Sequence, residues 1–447
     1  MKQRLVRAAP KIRKSMNTLF LISFLTAFFA LSQIHVFARS SVIEEPFLSL
    51  ETISKEAREA VSVRTLLYKG KYTRIWIYKD LMKKFSETSD KTMKAVFQSV
   101  EKKVIPALLE TFSVTAEDAG IDKKHPVDIV LDDVYEKSKH LYRGYYSPSK
   151  LGDHTILIDL NLAESASVTN LKDPVLSTVY SLSHELTHVL FFQKKPDEEA
   201  WVNEGLADLM SFLLGRSLFG YDVYKVHSID AYLRNPSRSL TSFDSWDPSG
   251  ADYGKSFLYF IYLYDHFGGN DFLKALYQGS DTGLKGLQYA LNTADGAQWI
   301  PAAIRSNASV YTHFSYALEV NDERLNRYRL FGFQSVLVPN QYQGDFDRAE
   351  VHDNPCGNLK PFQSAYVPIG PLISDQDALK TFTLSLEGTQ QPLVAYRVKK
   401  NANGVISRIP LSALNGKPLS FKKDDFVLIL NLGSEPSDYD LELTDTE

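Results

Sequence analysis

Two hydrophobic periods alternate along the chain, and together they predict its elements. KYTRIWIY, from Lys71 to Tyr78, alternates apolar and polar positions as a strand does. SDKTMKAVFQSVEKKVIPALLETF instead places Met93, Val96, Val100, Ile105, Leu108 and Leu109 at helical spacing, with Ser89 or Asp90 expected as its cap. PVDIVL (Pro126 to Leu131) and HTILIDLNL (His154 to Leu162) read as further strands, and RGYYSPSKLGD between them as a loop marked by Gly and Pro. Asp173-Pro174 then predicts a helix start, Asp as cap and Pro at the first helical position. That helix carries Val175, Leu176, Val179, Leu182, Leu186, Val189 and Leu190 until Lys194-Lys195-Pro196 ends it. A second helix is expected from about Glu199 to Leu214, stopping at Gly215. GKSFLYFIYLYDHFGG (Gly254 to Gly269) and NDFLKALYQG continue the helical pattern.

Near residue 328 the pattern changes to short alternating segments divided by Pro, Gly and Asn. The last, DDFVLILNLGSEPSDYDLEL, reads as two strands around a turn, so residues 329–447 are expected to form a C-terminal all-β, sandwich-like domain. The remainder divides into residues 1–38, a lead-in or short pro-segment at 39–62, and the main domain at 63–328.

The first of these segments is a different kind of object. Lys2, Arg4, Arg7, Lys11, Arg13 and Lys14 precede an apolar run from Leu19 to Leu31, and Val36-Phe37-Ala38 presents a site that signal peptidases read. This is the layout of a secretory signal cleaved after Ala38, giving a secreted or periplasmic protein without stable membrane insertion. The competing reading is an uncleaved anchor, and the absence of a cysteine at the cleavage site argues against a lipoprotein. Losing those six cations takes the formal net charge from −4 to −10, a poor balance for binding nucleic acid. Cys356 is the only cysteine, so no internal disulfide can form. Hydrophobic residues make up 44% of the chain, which suits a folded protein and excludes a disordered one.

The chemistry concentrates in SLSHELTHVLFFQKKPDEEAWVNEGLAD. His184 and His188 lie roughly 40° apart on one helix face and about 6 Å apart along its axis, so both imidazoles can converge on one ion. Glu185 flanks that ion and can take a proton from water. Catalytic zinc needs a third protein ligand and an open position. Glu204, with fifteen residues between it and His188, can supply it from a second helix packing back on the first. Asp208 follows on the same face, placed to accept the other ring N–H of a ligand histidine. Glu198 and Glu199 are rival third ligands that fall in or beside the turn. No P-loop, dinucleotide fingerprint or G-x-S-x-G elbow is present, so nucleotide and serine-hydrolase chemistry have no support.

HELTH followed by WVNEGLAD resembles the gluzincin zinc metallopeptidases, the thermolysin-containing group of the MA clan, and within it the hyicolysin-like bacterial peptidases. The similarity runs through HLYRGYYS, HTILIDLNL, the helix pair and AYLRNPSRSLTSF…DYGKSFLYFIYLYDHFGG, roughly residues 65 to 290. It implies an α+β fold with a mixed-sheet subdomain and a helical subdomain. It also implies one Zn2+ per chain on His184, His188 and Glu204, with Glu185 as general base and Asp208 behind a ligand. The substrate would be a peptide or protein. Tyr253 would donate to the oxyanion, with His227 as the alternative donor, and the strand Ile156 to Leu160 would align the substrate as an edge strand. The gap to Glu204 is shorter than in thermolysin-like enzymes. No glycine-containing exopeptidase motif occurs, which favours an endopeptidase. Calcium on Asp244, Asp247 and Asp252, or on Asp345, Asp347, Glu350 and Asp353, is a weaker expectation than solvated loop acids. Two rival readings are an inactive metal-binding or adhesive surface protein of the same fold, and a binding module whose β-domain is the working part.

Overall fold

TRIWIY and VDIVLD each form a strand because their apolar residues are rich in β-branched and aromatic side chains that pack on a pleated surface. The computed structural model describes residues 64–134, 144–160, 171–221, 226–234, 236–245, 247–320, 333–334, 356–368, 380–388, 393–400, 406–410, 418–422 and 425–445. The expected signal segment, the lead-in, the boundary near 328 and the acids Asp345, Asp347, Glu350 and Asp353 lie outside these residues. The chain is α+β: a mixed sheet and a set of helices, followed by an all-β C-terminal region.

The first sheet contains β1 (Arg64–Lys69), β2 (Thr73–Tyr78), β3 (Val127–Asp132), β4 (Gly144–Tyr146) and β5 (Thr155–Asp159) in the order β1-β2-β3-β5-β4. β2, β3 and β5 run parallel, while β1 and β4 run antiparallel to their neighbours at the two edges. Ile129, Val130 and Leu131 of β3 are all fully buried, as expected of a central parallel strand covered on both faces. Between β2 and β3 lie α1 (Glu87–Ser99), a π-helical stretch Val100–Val104, and α2 (Ile105–Phe112). The cap of α1 is Ser86 rather than Ser89 or Asp90: the Ser86 side chain accepts from the Ser89 N–H, so Ser89 and Asp90 already lie in the first turn.

A short helix, α3 (Pro148–Leu151), precedes β5, and among the described residues seven longer helices follow it. α4 is Pro174–Lys194, α5 Ala200–Phe219, α6 Val226–Arg234, α7 Ala251–His266, α8 Asn270–Gln278 and α9 Gly283–Thr293; α10 (Asn307–Val320) closes the series. α5 runs past Gly215 to Gly220, which has φ 72° and donates its N–H to the Arg216 carbonyl. Gly215 was expected to stop the helix, but Leu218 and Phe219 pack against the core and carry the helix one turn further. Among the described residues no helix is long and apolar enough to cross a membrane.

Among the described residues the C-terminal region forms two four-stranded sheets. β6 (Cys356–Leu359), β8 (Lys380–Gly388), β11 (Pro418–Phe421) and β13 (Ser437–Asp445) form one, in the order β11-β8-β13-β6. β7 (Gln363–Pro368), β9 (Leu393–Lys400), β10 (Ile406–Pro410) and β12 (Phe426–Asn431) form the other, in the order β10-β9-β12-β7. β12 and β13, expected as two strands around a turn, belong to different sheets. The continuous run FVLIL is buried on both faces. Val427 and Ile429 enter the core between the sheets, while Leu428 and Leu430 join Tyr366 and Phe362 in the core of the helical part. One sheet is thus the middle layer between helices and the second sheet.

Candidate metal centre

α4 begins as its sequence dictates, with Asp173 Oδ1 accepting from the N–H groups of Val175 and Leu176. His184, Glu185 and His188 fall on its buried stretch. The turn after α4 is fixed to the start of α9: Lys195 Nζ donates to the Asp281 carbonyl at 2.8 Å, and Gly283 N–H to Glu198 Oε1 at 2.7 Å. Glu199 Oε2 accepts from Trp201 Nε1 at 2.6 Å. Both rival carboxylates are therefore engaged in shaping the turn that returns α5 against α4. Gly205 lets α5 settle closely on α7, since a Cβ there would stand 2.9 Å from the Ser256 carbonyl oxygen. Glu204 is held beside that contact.

Three ligand atoms converge from the two helices. His184 Nε2 lies 3.1 Å from His188 Nε2 and 3.1 Å from Glu204 Oε2, and His188 Nε2 lies 3.6 Å from the same oxygen. Tetrahedral bonds of about 2.0–2.1 Å put neighbouring ligand atoms about 3.3 Å apart, so this triangle has the size of one face of a zinc-like site. Among the described residues it is the only such group of His, Cys, Asp or Glu.

The other ring nitrogens explain the orientation. His184 Nδ1 stands 2.8 Å from Asp208 Oδ1, and His188 Nδ1 stands 3.0 Å from Asn203 Oδ1. In the tautomer that carries its proton on Nδ1, toward these oxygens, each histidine would turn its Nε2 lone pair to the centre of the triangle, as a metal ligand must. In that state three acceptors, two buried and one half-buried, would repel one another at this spacing unless a cation stood between them. The donor set fits a divalent ion of the borderline kind, and His184, His188 and Glu204 can hold one. Burial alone would raise the Glu204 carboxyl, but His188 and His184 outweigh it and hold it well below the usual range.

A cleft of about 450 Å³ opens beside this group, with Tyr146, Phe192 and Asn203 among its walls. The Tyr146 ring is nearly parallel to that of His188, at 13° and 6.4 Å between centroids, and its hydroxyl donates to the Asp153 carbonyl at 3.1 Å. Glu185 is buried and reaches the edge of the sheet at Gly144, where a Cβ would stand 2.9 Å from its Oε1. That edge strand is β4. The strand Ile156 to Leu160, expected at the edge, is internal because β5 pairs with β3 on one side and β4 on the other. GYY is a strand that its sequence does not announce, because three residues between Gly and Pro signals show no period.

Tyr253 does not line the cleft. It packs edge-on against Phe243 at 5.0 Å and borders a narrow space shared with Tyr180, Asp208 and Ser228. His227 is exposed on α6. Two of the three loop acids, Asp247 and Asp252, have cationic partners of their own. Asp247 pairs with Arg238 at 2.6 Å, Asp252 pairs with Lys255 at 2.9 Å, and the Asp244 N–H donates to Asp252. At Asp247 and Asp252, side chains thus supply positive charge that a calcium ion, the weaker expectation, would bring.

Two residues escaped the sequence reading. Asn203, directly before Glu204, could have been found by asking which polar neighbour serves the second histidine. Tyr146 carried no such signal. Compared with known proteins, the chain matches no family model and no curated sequence.

Proposed function

We propose that this chain is an exported zinc metallopeptidase, with a thermolysin-like arrangement of its mixed sheet and helix pair. The observation that carries the reading is the convergence of His184 Nε2, His188 Nε2 and Glu204 Oε2 within 3.1–3.6 Å, both imidazoles being oriented by oxygens at their far nitrogens. A protein-built site with three ligands and a cleft beside it leaves a position for water and substrate, as catalytic zinc requires. Bound there, zinc would supply Lewis acidity, acidifying a water and polarising a carbonyl.

The chain's own residues would do the rest. Glu185 takes a proton on its carboxylate and later delivers it to the leaving amine, a role suited to a carboxylate buried beside the ligands. β4 is an edge strand among the described residues, and an extended peptide can pair with its outer side. Asp208 and Asn203 keep the two Nε2 lone pairs aimed inward. The fold leaves the expected donor, Tyr253, on the Asp208 side of the helix pair, so oxyanion stabilisation is not assigned to it.

The test compares wild type with Glu185→Gln for zinc content and for hydrolysis of an unfolded protein. One zinc per chain in both, with hydrolysis by wild type alone, is expected. Absence of zinc removes the site, and zinc without hydrolysis of a broad peptide library removes the enzyme.

A further inference from the structure

The cleft beside His188 and Glu204 contains two carboxylates that the ligand set does not use, Asp153 and Glu198. The Glu198 side chain is only 2% exposed. Its Oε1 accepts from the N–H groups of Gly283 at 2.7 Å and Glu199 at 3.0 Å, whereas Oε2 has no hydrogen-bond partner. The nearest cation, Lys195 Nζ, stands 3.8 Å from Oε2 and donates to the Asp281 carbonyl. Asp153 is exposed at the rim, where its backbone oxygen receives the Tyr146 hydroxyl. Tyr146, Phe192, Pro148 and Pro196 add apolar wall to the same cleft.

A buried carboxylate oxygen without a donor is costly, and a ligand that brings an N–H recovers that cost. Charge decides which kind of donor. Lys195 balances Glu198, and among the described residues no lysine or arginine pairs with Asp153, so a cation is favoured over a neutral amide. A long aliphatic stem ending in a cation matches such walls, and aromatic faces favour it further.

We infer that this cleft is a specificity pocket for a basic side chain, lysine or arginine, of a peptide bound across the metal centre. The stem lies against Tyr146 and Phe192, and the cation meets Asp153 and Glu198 Oε2. The inference rests on the proposed peptidase reading for the position of the peptide, but not for the recognition itself.

The test therefore has a binding arm and a cleavage arm. Zinc-loaded Glu185→Gln is titrated calorimetrically with N-acetylated, C-amidated peptides that differ only by arginine or norleucine at one position. Wild type is given an unfolded protein, and the cleaved bonds are read by mass spectrometry. The arginine peptide is expected to bind about tenfold tighter, as one partly desolvated charge pair would give. Lysine and arginine are expected to be enriched at one fixed position beside the cleaved bond. Asp153→Asn, an exposed change that folding tolerates, and Glu198→Gln, which keeps Oε1 as an acceptor, should each reduce both preferences. Cleavage without enrichment, or a preference that both variants retain, overturns the pocket and leaves the peptidase. Basic-selective binding without hydrolysis supports the pocket and overturns the peptidase. A preference that follows an unblocked amino terminus rather than the side chain overturns the pocket in favour of terminal capture. Neither binding nor cleavage overturns both.

Discussion

Asp208 stands 2.8 Å from His184 Nδ1, one helical turn beyond Glu204 on the same helix. A single helix face therefore supplies both a ligand and the group that aims another ligand, so α5 cannot rotate without disturbing both.

Removing that support should weaken the site without abolishing it. Asp208→Ala leaves His184 free to turn its ring, and outer partners of this kind are worth about 10–100-fold in metal affinity. Asn203→Ala should act in the same direction through His188. Competition with a chromophoric chelator measures both, and unchanged affinity in the pair would mean that other contacts hold the rings.

Glu204→Ala should go further, leaving two imidazoles and no bound zinc at micromolar concentration. Metal that binds only the folded chain stabilises it by about 2.7 kcal/mol at a hundredfold excess over Kd. Zinc should therefore raise the melting temperature of wild type and leave that of Glu204→Ala unmoved. A chelator should lower the wild-type value to that of the apo-protein. An equal zinc response in the two chains would place the metal elsewhere.

Gly144 provides a different control. A Cβ there would stand 2.9 Å from Glu185 Oε1 and 3.0 Å from its Cγ, so Gly144→Ala must displace either the base or the edge strand. Displacing a reacting group by about 1 Å costs on the order of 10²-fold in rate. Hydrolysis should fall by that order while zinc stoichiometry is preserved, separating the base from the ligands. Full activity in this variant would show that the strand yields freely and that Glu185 is not confined by it.

The convergence of the candidate ligands was legible because helix geometry is local. His184 and His188 must share a face, and Glu204 with Asp208 must share another, wherever the helices go. Where those helices stop was less legible: Gly215 has the residue type of a terminator, but packing of Leu218 and Phe219 overrides it. Strand order was not legible, because which strand lies at the sheet edge depends on pairings far apart in sequence. β4, only three residues long, has no alternation to betray it. The position of Tyr253 likewise depends on how α7 sits against α5, which no spacing along the chain specifies.

The same contingency ties the β-region to the helices. The segment from Ser237 to Ser242 bridges them: Ser239 Oγ donates to the Pro361 carbonyl at 2.6 Å, and Leu240 N–H donates to Phe362 at 2.8 Å. Leu428 and Leu430 share the core of the helical part. Leu428→Ala should cost about 2–5 kcal/mol, as truncation of a buried leucine does. The loss should appear in one cooperative transition seen alike by zinc release and by far-ultraviolet signal. Two separate transitions would show that the β-region folds alone.

Lys255 anchors the other end of that bridge. It is fully buried on α7 and donates to the carbonyls of Ser239, at 2.7 Å, and Ser242, and to Asp252 at 2.9 Å. Burial pushes its ammonium down to about 8 from the ordinary 10.5, although Asp252 pulls it back up. A folded value below the unfolded one means that the unfolded chain holds more protons between these limits. The stability contributed by Lys255 is therefore fully present above pH 10.5 and is lost as pH falls from there through about 8. Unfolding free energies of wild type and Lys255→Met, measured side by side, should show their difference moving in favour of wild type as pH rises through that window. Below it the difference should be flat. A difference that instead moves against wild type on raising the pH would mean that the three hydrogen bonds of the ammonium outweigh its burial.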